Sequence, residues 1–83
     1  MKDFSDMSKY EINIQYKLIS EKVKAYRIKK GFTQEQVALS MCFTTATFYT
    51  NAENFKKEKH FNLEHLIKIS NILNIPIADF FKS

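Results

Sequence analysis

The sequence predicts an all-α fold, a bundle of five helices in a single domain over residues 1–83. Three observations lead there. Apolar residues recur at spacings of four, three, four and three at Ile12, Tyr16, Ile19, Val23 and Tyr26, a period that an amphipathic helix can use and a strand cannot. Helix start signals stand at Ser8, Thr33 and Asn62, and stop signals at Gly31 and Asn74. Turn formers are scarce: one Gly and one Pro, against 45% hydrophobic residues, suit neither a turn-rich β fold nor a disordered chain.

In chain order, residues 1–7 carry no firm signal. The first helix is expected from about Lys9 to Lys30. Ser8 and Glu11 have capping-box spacing and Met7 can staple to Ile12, although Glu11 to Tyr16 taken alone also alternates as a half-buried strand would. Gly31 ends the helix as a left-handed cap, and the cations of its last turns complement the helix dipole. The second helix starts at Thr33, with Gln36 placed to complete a capping box, and sets Val37, Ala38 and Met41 on one face. Past Met41 the hydroxyls of Thr44 and Thr45 can cap a third helix, Ala46 to Asn54. Two short helices joined by a tight turn, the second rich in small hydrogen-bonding side chains, make a helix-turn-helix over about 34–54.

A charged connector, Lys56 to His60, leads to the fourth helix, capped by Asn62 and stapled by Phe61 on Leu66. Leu63, Leu66, Ile67, Ser70 and Leu73 form one face. Ile69 and Ile72 widen it so far that the helix must be central or lie at an interface. Asn74 and Pro76 stop it, and Ile77 to Phe81 is a last short helix or turn.

Thirteen Lys and Arg against nine Asp and Glu give a formal charge of +4, which by itself points only weakly to a polyanion. Distribution says more: cations cluster at Lys22, Lys24, Arg27, Lys29 and Lys30 and again at Lys56, Lys57 and Lys59, while the acids are scattered. One Cys cannot form an internal disulfide, so a reducing compartment is the default. No apolar run reaches the roughly 18 residues of a membrane span, and the N-terminus, with Asp3 and Asp6, lacks a signal peptide's apolar stretch. A soluble, cytoplasmic protein with no membrane partner is expected. His60 and His65, near Glu58 and Glu64, straddle a connector and a helix entry with no further His and a distant Cys, so they read as surface residues and no metal is expected. The carboxylates are too dispersed for an acid–base pair; neither catalytic residues nor a cofactor is expected.

The run Arg27 to Ala38, RIKKGFTQEQVA, resembles the start of the helix-turn-helix domain of the Xre family, the Cro and phage-repressor type. The run His65 to Phe81, HLIKISNILNIPIADFF, is similar to its closing helices. Together they cover roughly residues 19–81 and leave about 1–14 as an N-terminal extension of the first helix. The resemblance implies a bacterial or phage regulator that binds double-stranded DNA. It places at Gln34 an amide that grips a phosphate and braces a base contact. It pairs Arg27 with Glu53, a bidentate, partly buried ion pair that would lock the first helix to the third. It favours Ala and Gly where the two helices approach, at Ala38 and Cys42; Cys42 replaces the Gly and, as a small thiol beside apolar residues, is expected to pack.

Counted from Phe43, Glu53 arrives one residue later than in most relatives, and the usual buried position would be polar Asn51. An extra residue in the turn resolves both. Tyr49 and Ala52 then face the core, Glu53 falls in register, and Thr45, Ala46, Thr47, Phe48, Thr50 and Asn51 point outward. These types suit a major groove: Thr hydroxyls for bases or phosphates, Ala46 and Phe48 for thymine methyls, Asn51 bidentate on adenine, together an A·T-leaning half-site. Asn54, Lys56, Lys57 and Lys59 would contact the DNA backbone. A domain this small covers a half-site, so a homodimer is expected, joined through spare apolar surface at Ile69, Ile72, Ile77, Phe80 and Phe81. A repressor on an inverted repeat is the leading expectation. The alternatives are an antitoxin-type module that inhibits a protein partner while autoregulating, and a restriction-modification controller.

Overall fold

The computed structural model describes residues 8–42 and 46–82. Among these residues there are four α-helices and no strand: α1 (Lys9–Lys29), α2 (Gln34–Ser40), α3 (Thr47–Glu53) and α4 (Leu63–Leu73). The expected fifth helix is a 3-10 segment, Ile77–Phe81, following Pro76. Asn74 takes a left-handed conformation and Pro76 cannot donate, so the chain leaves α4 in a tight turn.

α1 begins where Ser8 accepts from the Glu11 N–H at 3.1 Å; Met7, the staple partner expected for Ile12, lies outside the described residues. With 21 residues, α1 is about 32 Å long at 1.5 Å per residue. Burial fades toward its start. Val23 is fully buried, Ile19 and Tyr26 pack against the core, and Ile12 is 40% exposed because the body of the domain ends before it. At the other end the Gly31 N–H donates to the Ile28 carbonyl and the Phe32 N–H to the Arg27 carbonyl, with Gly31 at φ +82. A side chain at Gly31 would meet nothing within 4 Å, so φ and not crowding selects glycine there. α4 ends in the same pattern, with Asn74 at φ +56 and the Ile75 N–H on the Ser70 carbonyl.

α2 opens on the complete capping box expected at Thr33 and Gln36, and α4 on one formed by Asn62 and His65. In the latter the His65 Nδ1 accepts from the Asn62 N–H at 3.1 Å, which requires that nitrogen to be unprotonated. α3 differs. Its N-cap is Ala46, with no side-chain bond, and the expected caps Thr44 and Thr45 fall outside the described residues.

The core joins Val23, Val37, Ala38, Met41, Tyr49, Ala52, Phe61, Leu66, Ile69, Leu73 and Phe80. Two expectations for the closing segment are corrected. α4 buries Leu66, Ile69, Ser70 and Leu73, while Leu63 and Ile67 stand 63% and 47% exposed. Apolar residues around most of the helix left its rotation open, and α1 and α2 pack on the Ile69 side. Ile69 and Phe80 are core residues, 0% and 1% exposed, rather than spare surface, and Ile72 and Ile77 lean half-buried against that core. Of the five residues expected at a dimer interface, Phe81 alone is largely exposed, at 56%.

Candidate nucleic-acid interface

α3 is a two-turn helix held from behind. Tyr49 and Ala52 are fully buried, and the Ser20 hydroxyl of α1 donates to the Ala52 carbonyl at 2.9 Å. Below them Arg27 and Glu53 meet side by side: Nε donates to Oε2 at 2.8 Å and Nη2 to Oε1 at 3.0 Å. Arg27 Nη1 also donates to the Phe32 carbonyl at 2.7 Å, tying the pair to the turn before α2. The Glu53 side chain is 0% exposed, so this pair is desolvated and geometrically fixed.

Gln34, at the start of α2, closes the arrangement. Its Nε2 donates to Glu53 Oε1 at 2.9 Å and its Oε1 accepts from the Thr50 hydroxyl at 3.3 Å. The amide thus braces two turns of α3 from α2. Burial pushes the Glu53 carboxyl up, and the bonds from Arg27 and Gln34 outweigh it, leaving Glu53 below the usual carboxylate range. The bond to Glu53 raises the Arg27 guanidinium further still. The Tyr49 hydroxyl is buried beside this cluster without a hydrogen-bond partner of good geometry, and burial pushes its pKa up.

The front of α3 carries Thr47, exposed, and Thr50 and Asn51, half-buried. Phe48 is not a free outward residue: its ring sits 5.1 Å from that of His65, at the start of α4, and packs against the core, as does half-buried Ala46. Thr45 lies outside the described residues. Cys42, expected to pack, is exposed at φ +65. The turn needs a left-handed residue there, the reason a glycine suits this position, and a non-glycine residue holds that conformation at a cost of about 1–2 kcal/mol.

Beyond α3 come Asn54, Lys56, Lys57 and Lys59, all exposed. The connector is not the featureless stretch its composition suggests. Phe55, Lys57 and Glu58 all have positive φ, at 54, 55 and 57 degrees, around a short 3-10 turn, Lys56–Glu58. Two further lysines join this surface from a distant part of the chain. Lys17 and Lys24 of α1 line a shallow cleft of about 190 Å³ with Glu21, Glu53, Asn54 and Phe55. The signal was their seven-residue spacing on the side of α1 that also carries Ser20.

The two histidines have structural partners. His60 stacks on Tyr16, and His65 caps α4. Among the described residues no three His, Cys, Asp or Glu side chains gather as metal ligands would, and no helix is long and apolar enough to cross a membrane.

No curated protein and no solved structure matches the chain. A helix-turn-helix family model matches residues 23–80, which hold all of α2, α3 and α4 and the C-terminal part of α1. That match spans more than half of the 83 residues, and the chain belongs to the Xre-type helix-turn-helix family, the DNA-binding domains of the Cro and phage-repressor type.

Proposed function

We propose that this DNA-binding regulator reads a specific double-stranded sequence with α3 and acts as a homodimeric repressor on an inverted repeat. The observation that carries the reading is the contrast across α3. Its back is locked by the Arg27–Glu53 pair and by Gln34, while on its front Thr47 is exposed and Thr50 and Asn51 are half-buried. A rigid helix with Thr and Asn forward meets the requirement for reading base edges, where an Asn amide pairs bidentately with adenine. Lys56, Lys57 and Lys59, with Asn54, Lys17 and Lys24 alongside, supply the salt-sensitive grip on phosphates that fixes the register. Phe48 contributes by packing, holding α3 against α4, rather than by touching a base.

One copy presents one reading helix, so two copies about 34–36 Å apart would cover a full operator. Phe81 and Leu18, 56% and 49% exposed on the rim of an open cleft of about 420 Å³ beside Ile19, offer apolar surface for that contact. Such a dimer seated across a promoter would repress by covering it.

Selection from a random duplex pool, followed by gel shift with the enriched sequence, tests the reading. Enrichment of a two-fold-symmetric, A·T-leaning site is expected, with a shift of two protein chains per duplex. Failure to enrich any sequence in dilute buffer would refute it.

A further inference from the structure

α1 starts fourteen residues before the family-matched segment, at Lys9 against residue 23, and this leading part makes two side-chain contacts with a distant part of the chain. Lys9 Nζ meets Glu58 Oε2 at 3.0 Å, and the Tyr16 ring lies on His60 with centroids 3.8 Å apart and planes at 14 degrees. Both contacts land on the connector. That connector and Phe55 just before it hold three left-handed residues, none of them glycine, so its shape is not one the chain adopts on its own. Its internal bonds are few: Lys59 N–H to the Lys56 carbonyl at 3.0 Å, and His60 Nδ1–H to the Glu58 carbonyl at 3.3 Å. The Lys9–Glu58 pair is exposed on both sides and contributes little. The parallel stack of two half-buried rings is the stronger tie, and it fixes the histidine that closes the turn.

We propose that the part of α1 ahead of residue 23 is a splint for the connector: Tyr16, through His60, holds Lys57 and Glu58 in the left-handed shape that presents Lys56 and Lys57 to the DNA backbone. Tyr16 is thus a positioning residue for a binding surface it does not belong to. The DNA part of this inference rests on the proposed function; the shape of the free connector does not.

The test uses the full chain with Tyr16→Ala, Tyr16→Phe and, from the other side of the stack, His60→Ala. Loss of one aromatic pair corresponds to roughly a five-fold effect. In Tyr16→Ala, amide hydrogen exchange at 57–60 in the free protein should rise about that much while exchange in α2 and α3 stays as in the wild type. Duplex affinity should fall by a similar factor. Tyr16→Phe keeps the ring and should restore both, and His60→Ala should reproduce the alanine phenotype. Wild-type exchange at 57–60 in Tyr16→Ala and His60→Ala, unchanged affinity despite faster exchange, or no recovery in Tyr16→Phe would each overturn the splint. If the wild type binds no duplex while the exchange results hold, the DNA reading fails and the splint's hold on the connector stands.

Discussion

The clamp behind α3 and the connector after it solve opposite problems with opposite means. The clamp is buried and over-determined: Glu53 receives three hydrogen bonds from two side chains on two helices, and Arg27 spends a further bond on the Phe32 carbonyl. The connector is exposed, carries lysines, and stands in left-handed backbone tied to α1 by one ring stack and one solvated ion pair. Side chains that must meet base edges in fixed geometry need the first arrangement. Cations that follow a flexible polyanion tolerate the second.

Breaking the clamp should have the largest effect. Arg27→Ala leaves the Glu53 carboxylate buried without its main partner and should lose about 3–5 kcal/mol in urea unfolding, whereas the double variant Arg27→Met, Glu53→Leu should lose much less. Equal losses in the two would mean that the pair is not desolvated. On the helix that the clamp holds, Asn51→Ala should cost about 1–3 kcal/mol against the preferred duplex and relax choice at one base pair, measured by repeating the site selection. In the turn before α3, Cys42→Gly relieves a left-handed non-glycine residue and should raise stability by about 1 kcal/mol. On the connector, Lys57→Ala should weaken all duplexes alike and flatten the plot of log affinity against log salt by about one unit. An unchanged slope would remove Lys57 from the interface.

Acid sharpens the same contrast, because two groups titrate in separate windows. Burial holds His65 below the usual imidazole range, so its contribution is present above about pH 6.5 and is lost as pH falls from there through its lower folded value. Glu53, also depressed, loses its contribution only below the ordinary carboxylate range, about pH 4.3. His65→Gln can keep the capping box while removing the imidazole, and should erase the upper limb of the stability profile and leave the lower one.

The clamp was legible in the sequence and the connector was not, for physical reasons. Gly31 and the Thr33 capping box are local signals with strict spacing, while the resemblance to the Xre family supplied the Arg27–Glu53 pairing and the one-residue lag of Glu53 that placed Tyr49 and Ala52 inward. Lys57 and Glu58 carry no mark of left-handed backbone, since neither is Gly or Asn; their conformation depends on Tyr16, more than forty positions away. The rotation of α4 was hidden by its own composition, because a helix apolar on most sides leaves the buried edge to its neighbours, and so Ile69 turned out to be core.

The most direct test of the central claim, that the front of α3 and the connector together face duplex DNA, is a map of backbone amide shifts on titration with the selected duplex. The expected result is a contiguous set of changes at 46–51 and 54–59, with Gln34 included and the outer faces of α4 and Ile77–Phe81 silent. Changes confined to Leu63, Ile67 and Phe81, or no changes even in dilute buffer, would contradict the account.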